Sequence, residues 1–256
     1  MISFRSGNPA LRSKTFKMDK ATGQGVMTLE GTINKTTISL FILLITAFYS
    51  YTNTINSLDA SNEAVVNTGY MLGGFIGGFI VALVTIFKKE WSPYTVPLYA
   101  ALEGLALGGI SAVFNEKYYD GIAGQAILLT VGIFAALLFA YKSRIIQPNE
   151  NFKLGIFAAT AGIGIAYLIN FIMSFWGSGL SVMNIDNASP MSIGFSVVVI
   201  IIASLNLVLD FDFIEQGSEA GIPKYMEWYG AFGLLVTLIW LYLEILRLLA
   251  KLQSRR

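Results

Sequence analysis

The chain has 256 residues, 55% of them hydrophobic and only 13% charged, with a mean hydropathy of +0.63. A soluble domain carries roughly one quarter charged residues, so this is the composition of a polytopic membrane protein. Cysteine and histidine are both absent; that excludes disulfides, thiolate catalysis, histidine triads and the usual zinc sites, and no cofactor is expected. The formal net charge of +1 gives no reason to expect a nucleic-acid partner.

Met1 to Lys35 forms a basic tail with Arg5, Arg12, Lys14, Lys17, Lys20 and Lys35 against Asp19 and Glu30. By the positive-inside rule it is cytoplasmic. No cleavable signal peptide is legible before the apolar run near Thr36, so the tail is expected to stay, with the first helix as its own signal. Seven apolar segments follow, at 36–54, 68–87, 94–114, 121–141, 153–176, 191–214 and 227–249. Each is close to the roughly 20 residues that a spanning helix needs. The expected organisation is thus a tail over 1–35, an all-α transmembrane domain over 36–250 and a short basic C-terminal tail over 251–256. The expected location is the cell (plasma or inner) membrane, with the lipid bilayer as first partner.

Lys88 and Lys89, then Lys142, Arg144 and Lys153, then Lys224 mark the even-numbered loops as cytoplasmic. Of the others, Tyr51 to Val66 and Gly177 to Pro190 carry no Lys or Arg, and Asn115 to Asp120 only Lys117. An odd number of spans puts the C-terminus outside, against the pull of Lys251, Arg255 and Arg256. Either the last helix ends outside despite those charges, or it is re-entrant.

Glycines at four-residue spacing (Gly73, Gly74, Gly77 and Gly78, then Gly104 and Gly108) and the AATAGIGIA stretch around Gly162 read as faces where helix backbones approach closely. Pro93 and Pro97 are expected to open the third helix and Pro190 the sixth.

Four carboxylates interrupt or border the apolar segments: Glu103, Asp210, Asp212 and Glu244. An intramembrane acid costs roughly 2.5–3.5 kcal/mol even on lenient insertion scales, and by default marks an ion or proton site. Arg247 lies one turn beyond Glu244 and is the basic companion expected inside the membrane; a self-neutralising Glu244–Arg247 pair is the structural alternative. Asn206, one turn before Asp210, gives the sixth helix a polar face, whereas Asp212 points elsewhere and is expected to meet solvent. If Asp210 and Glu244 share a dry site, they cannot both ionise cheaply, and the pair becomes a proton-controlled latch. Ionised, their oxygens would attract a hard cation such as calcium. In a simple hairpin Glu244 lies far deeper than Asp210, so the two meet only if the sixth helix continues beyond Glu215 or the Gly217 to Met226 stretch folds back.

The segment LVLDFDFIEQG followed by EWYGAFGLLVTLIWLYLEILRLL, with NPAL at Asn8 to Leu11, MTLEG at Met27 to Gly31 and YAALEGLALGGISAVF at Tyr99 to Phe114, resembles the Bax inhibitor-1 family, in its bacterial branch. The resemblance spans almost the whole chain. It implies seven helices with the C-terminal one in the middle, and a pH-sensitive calcium leak governed by an acid pair on the sixth and seventh helices. Those positions fall on Asp210 and Glu244, with Glu244 standing where the family has aspartate. Glu103, in the Glu-Gly-Leu motif, is a further pore or gating candidate, with Asn206, Asp212 and Arg247 beside it.

The first functional expectation is a calcium or general cation leak gated at Asp210 and Glu244, with no chemistry on a substrate. The alternative is a regulatory membrane protein that binds a membrane protease or another partner through the basic tail and cytoplasmic loops.

Overall fold

The computed structural model describes residues 25–54, 57–58, 64–65, 68–177 and 179–255. Most of the basic tail, including the NPAL motif, lies outside the described residues. Among them are seven helices long and apolar enough to cross a bilayer: α1 (Leu29–Thr54), α2 (Gly69–Phe87), α3 (Ser92–Lys117), α4 (Ile122–Lys142), α5 (Glu150–Ser174), α6 (Pro190–Glu219) and α7 (Met226–Gln253). The only strand pairing of more than one bridge among the described residues is a small antiparallel ribbon between α1 and α2, β1 (Ser57–Leu58) with β2 (Ala64–Val65).

Helix ends follow local chemistry more than hydropathy. α1 begins at Leu29 rather than near Thr36, because Thr28 Oγ1 accepts the Gly31 amide at 2.9 Å and so caps the first turn. α5 likewise starts at Glu150, capped by Asn149, whose side chain accepts from the Phe152 amide at 2.8 Å. Pro93 stands in the first turn of α3 as expected, but Pro97 lies inside the helix. α6 runs on to Glu219 and ends at Gly221, whose φ of 70° is the left-handed conformation that stops helices. α7 is one unbroken helix of 28 residues, about 42 Å long. No break interrupts it at which the chain could turn back. It also takes Lys251 out of the expected tail and into the helix.

The described chain divides into two compact units. One comprises Ile214–Leu235 and the chain before Gly124; the other comprises Gly124–Phe213 and the chain from Val236 onward. In the first, α1 and α2 pack on α3 through glycines. A Cβ at Gly108 would run into the Ala47 carbonyl, and one at Gly74 into the backbone of Leu102 and Ala106. Gly162 on α5 departs from the expectation, since a Cβ there would meet nothing within 4 Å. The outer surfaces of Phe41, Phe75, Phe79, Leu128, Phe171 and Trp176 are exposed, as lipid-facing residues are.

Three stretches that carry the family resemblance meet in this first unit. The Thr28 amide and hydroxyl both donate to Glu227 Oε1 at 3.1 Å, and Lys35 pairs with Glu227 Oε2 at 2.8 Å. Gly31 lies so close to that carboxylate that a Cβ would overlap it. Just before it, Val26 bridges to Pro223, with Met27 N donating to Ile222 O and Lys224 N to Gly25 O. Tyr99 on α3 packs edge-on against Phe232 at 5.0 Å.

Burial is uneven among the helices. α7, which the resemblance places in the middle, is the most buried, with 61% of its most apolar window covered, against 6% for α5.

Candidate ion site on the sixth and seventh helices

Successive residues of a helix point about 100° apart, and Asp210, Phe211 and Asp212 accordingly serve three directions. Asp210 is fully buried, and its Oδ2 accepts a 2.6 Å hydrogen bond from Thr237 Oγ1 of α7. Phe211 packs against Phe134 and Tyr141 of α4, with ring centroids 5.8 and 5.7 Å away. Asp212 turns to α5, where Lys153 Nζ lies 2.8 Å from its carboxylate and 3.3 Å from Glu150. Asp212 is therefore held in an ion pair rather than left to solvent, and Lys153, read from sequence as a loop charge, is a buried partner in the first turn of α5. Beside Asp212 a cavity of about 320 Å³ is lined by Tyr141, Arg144, Ile146, Gln147 and Pro148. Asn206 faces α5 as well, its amide donating to Thr160 Oγ1 at 2.8 Å.

Glu244 stands at a different level. The Tyr167 hydroxyl of α5 donates to its Oε1 at 2.6 Å, and Arg247 donates to the same oxygen at 3.0 Å and to Tyr167 at 2.9 Å. The guanidinium also lies over the Tyr167 ring, 5.4 Å from its centroid. Thr237 and Glu244 are separated by about 10 Å of helix rise. Although α6 does continue beyond Glu215, the hydrogen bonds of Asp210 to Thr237 and of Glu244 to Tyr167 and Arg247 give the two acids separate partners. The Glu244–Arg247 pair is brought together; Asp210 and Glu244 are not joined directly.

One more polar contact reveals the register. Lys251 Nζ, almost fully buried, donates to Ser196 Oγ at 2.9 Å and to Ser192 O at 3.3 Å. Asp210 with Thr237 and Ser196 with Lys251 define one antiparallel alignment of α6 on α7. Residues Ser196, Ala203 and Asp210 on α6, and Thr237, Glu244 and Lys251 on α7, repeat at seven-residue spacing, close to two helical turns. The result is a polar stripe with three levels, in which buried Ala203 stands at the level of Glu244.

Thr237, Tyr167, Lys153 and Lys251 were not picked out from sequence. Thr237 and Lys251 had a legible signal in their spacing about Glu244; Tyr167 and Lys153, on another helix, had none. Glu103 lies in the other unit, where it is hydrogen-bonded by Tyr99 and lies against Gly78 of α2.

Seven membrane-length helices carrying buried, hydrogen-bonded acids define a multi-pass membrane protein, with the bilayer as its surroundings. The Bax inhibitor 1-like family model matches residues 8–254, and the chain belongs to that family. A comparison with curated proteins found no match.

Proposed function

We propose that this protein is a pH-sensitive cation leak of the cell membrane, with calcium as the permeant ion and the polar stripe between α6 and α7 as the controlling element. The observation that carries this reading is Asp210, a carboxylate with no exposed surface inside a membrane helix, held by the hydroxyl of Thr237. Ionised, it offers oxygen to a hard cation; protonated, it becomes a neutral donor within the α6–α7 contact. Glu244 is a second acid on the same stripe, with Arg247 as its counter-charge. Flux through the protein accordingly rises as Asp210 ionises, that is, with rising pH. The N-terminus is cytoplasmic in this reading, and the α6–α7 turn with Lys224 faces the same side.

Calcium influx into proteoliposomes, followed from about pH 5 to 8 beside an Asp210→Asn, Glu244→Gln double variant, tests it. The expected result is a pH-dependent flux that the variant makes pH-insensitive. Flux no greater than that of empty liposomes at every pH would sink the reading.

A second reading, a regulator that engages a membrane protease or similar partner through its basic tail, draws on the strap at Gly25 to Thr28. Those residues fasten directly to Ile222, Lys224 and Glu227 at the α6–α7 turn, a physical route from tail to hairpin. Removing residues 1–24 distinguishes the two, because it would abolish a partner-dependent activity and leave ion flux intact.

A further inference from the structure

Burying a lysine ammonium is expensive unless every donor is satisfied, and an apolar side chain at position 251 would avoid that cost. Three oxygens converge on Lys251 Nζ: Val182 O at 2.9 Å, Ser196 Oγ at 2.9 Å and Ser192 O at 3.3 Å. None of the three is charged. The Ser192 hydroxyl donates to Val182 O at 2.9 Å and so ties the α5–α6 connection to the start of α6. Carbonyl and hydroxyl oxygens arranged around one positive charge are what replaces the hydration shell of a monovalent cation in a selectivity site. The carboxylate of this α7 stripe, Glu244, is two turns away and bonded to Arg247.

We infer that Lys251 is a tethered cation seated in a monovalent-cation site formed by Val182 O, Ser192 O and Ser196 Oγ, and that its ammonium closes that end of the polar stripe to free ions. The assignment of the site stands independently; the closing role rests on the leak reading above.

The test uses the purified full chain with Lys251→Ala, and with Lys251→Met, which keeps most of the stem packing should the alanine variant fail to fold. Thermal unfolding is followed while rubidium chloride replaces choline chloride at constant ionic strength, choline being too large for three converging oxygens. The variant is expected to melt below wild type by about 5 °C, and rubidium to restore several degrees saturably, with no such rubidium-specific shift in wild type. Absence of a rubidium-specific shift in both variants would overturn the site and leave Lys251 as a staple between helices. In proteoliposomes, rubidium flux through the variant is expected to rise about tenfold over wild type. A variant that binds rubidium yet conducts no more than wild type would overturn the closing role. A wild-type protein without calcium flux would instead defeat the leak reading, while the binding result continues to decide the site.

Discussion

The two intramembrane acids of the α6–α7 stripe have opposite surroundings. Asp210 has no exposed surface and is held by a neutral hydroxyl, whereas Glu244 shares its oxygen with a tyrosine and with an arginine whose side chain is 35% exposed. A cation approaching Glu244 meets charge already matched by Arg247. The difference teaches that the count of acids over bases on a helix does not show how each acid is held: Glu244 is matched by Arg247 of its own helix, whereas Asp210 is held across the helix contact by Thr237. Asp210 is thus the better candidate for the controlling group, and Glu244 for a fixed part of the frame.

The largest effect is expected from separating the two. Asp210→Asn alone should remove most of the pH dependence of calcium flux, by about tenfold at the high-pH end, while Glu244→Gln alone should leave most of it. Equal effects from the two single variants would erase the comparison. Next is Thr237→Val, nearly isosteric, which strips the donor from Asp210. It should cost about 1–3 kcal/mol, read as a thermal midpoint lower by several degrees, because a buried carboxylate is left one hydrogen bond short. An unchanged midpoint would mean that Thr237 does not hold Asp210. Gly108→Ala, whose Cβ would press on the Ala47 backbone, should destabilise the protein by about 1–3 kcal/mol. Gly162→Ala is the smallest effect: with open space at that position and alanine the better helix former, it should be neutral or stabilising by up to about 1 kcal/mol. Melting curves of the two glycine variants side by side check that contrast.

Those glycines illustrate where sequence reading stops. Glycine spacing at Gly108 and the small-residue stretch around Gly162 both read as close-approach faces, yet of the two only Gly108 has another helix backbone against it. Lys153 and Lys251 are similar: near the ends of apolar runs they read as loop or tail charges, but Asp212 in one case and a carbonyl–hydroxyl cage in the other draw them inside. Helix starts at Leu29 and Glu150 were displaced from the apolar boundaries because Thr28 and Asn149 cap the first turns regardless of hydropathy.

By itself, the sequence determined that this is a membrane protein, that it has seven spanning helices, and which family it resembles. The first two follow from the length and apolarity of each segment, since each helix satisfies its own backbone in lipid without reference to its neighbours; the resemblance rests on motifs such as LVLDFDFIEQG and MTLEG. The seven-residue spacing of Thr237, Glu244 and Lys251 was also present in it. What only the tertiary structure decided is the pairing between segments: Asp210 with Thr237, Glu244 with Tyr167, Glu227 with Thr28 and Lys35. A side chain's partner across a helix contact is fixed by the register and rotation of two helices, and those depend on packing between segments far apart in the chain.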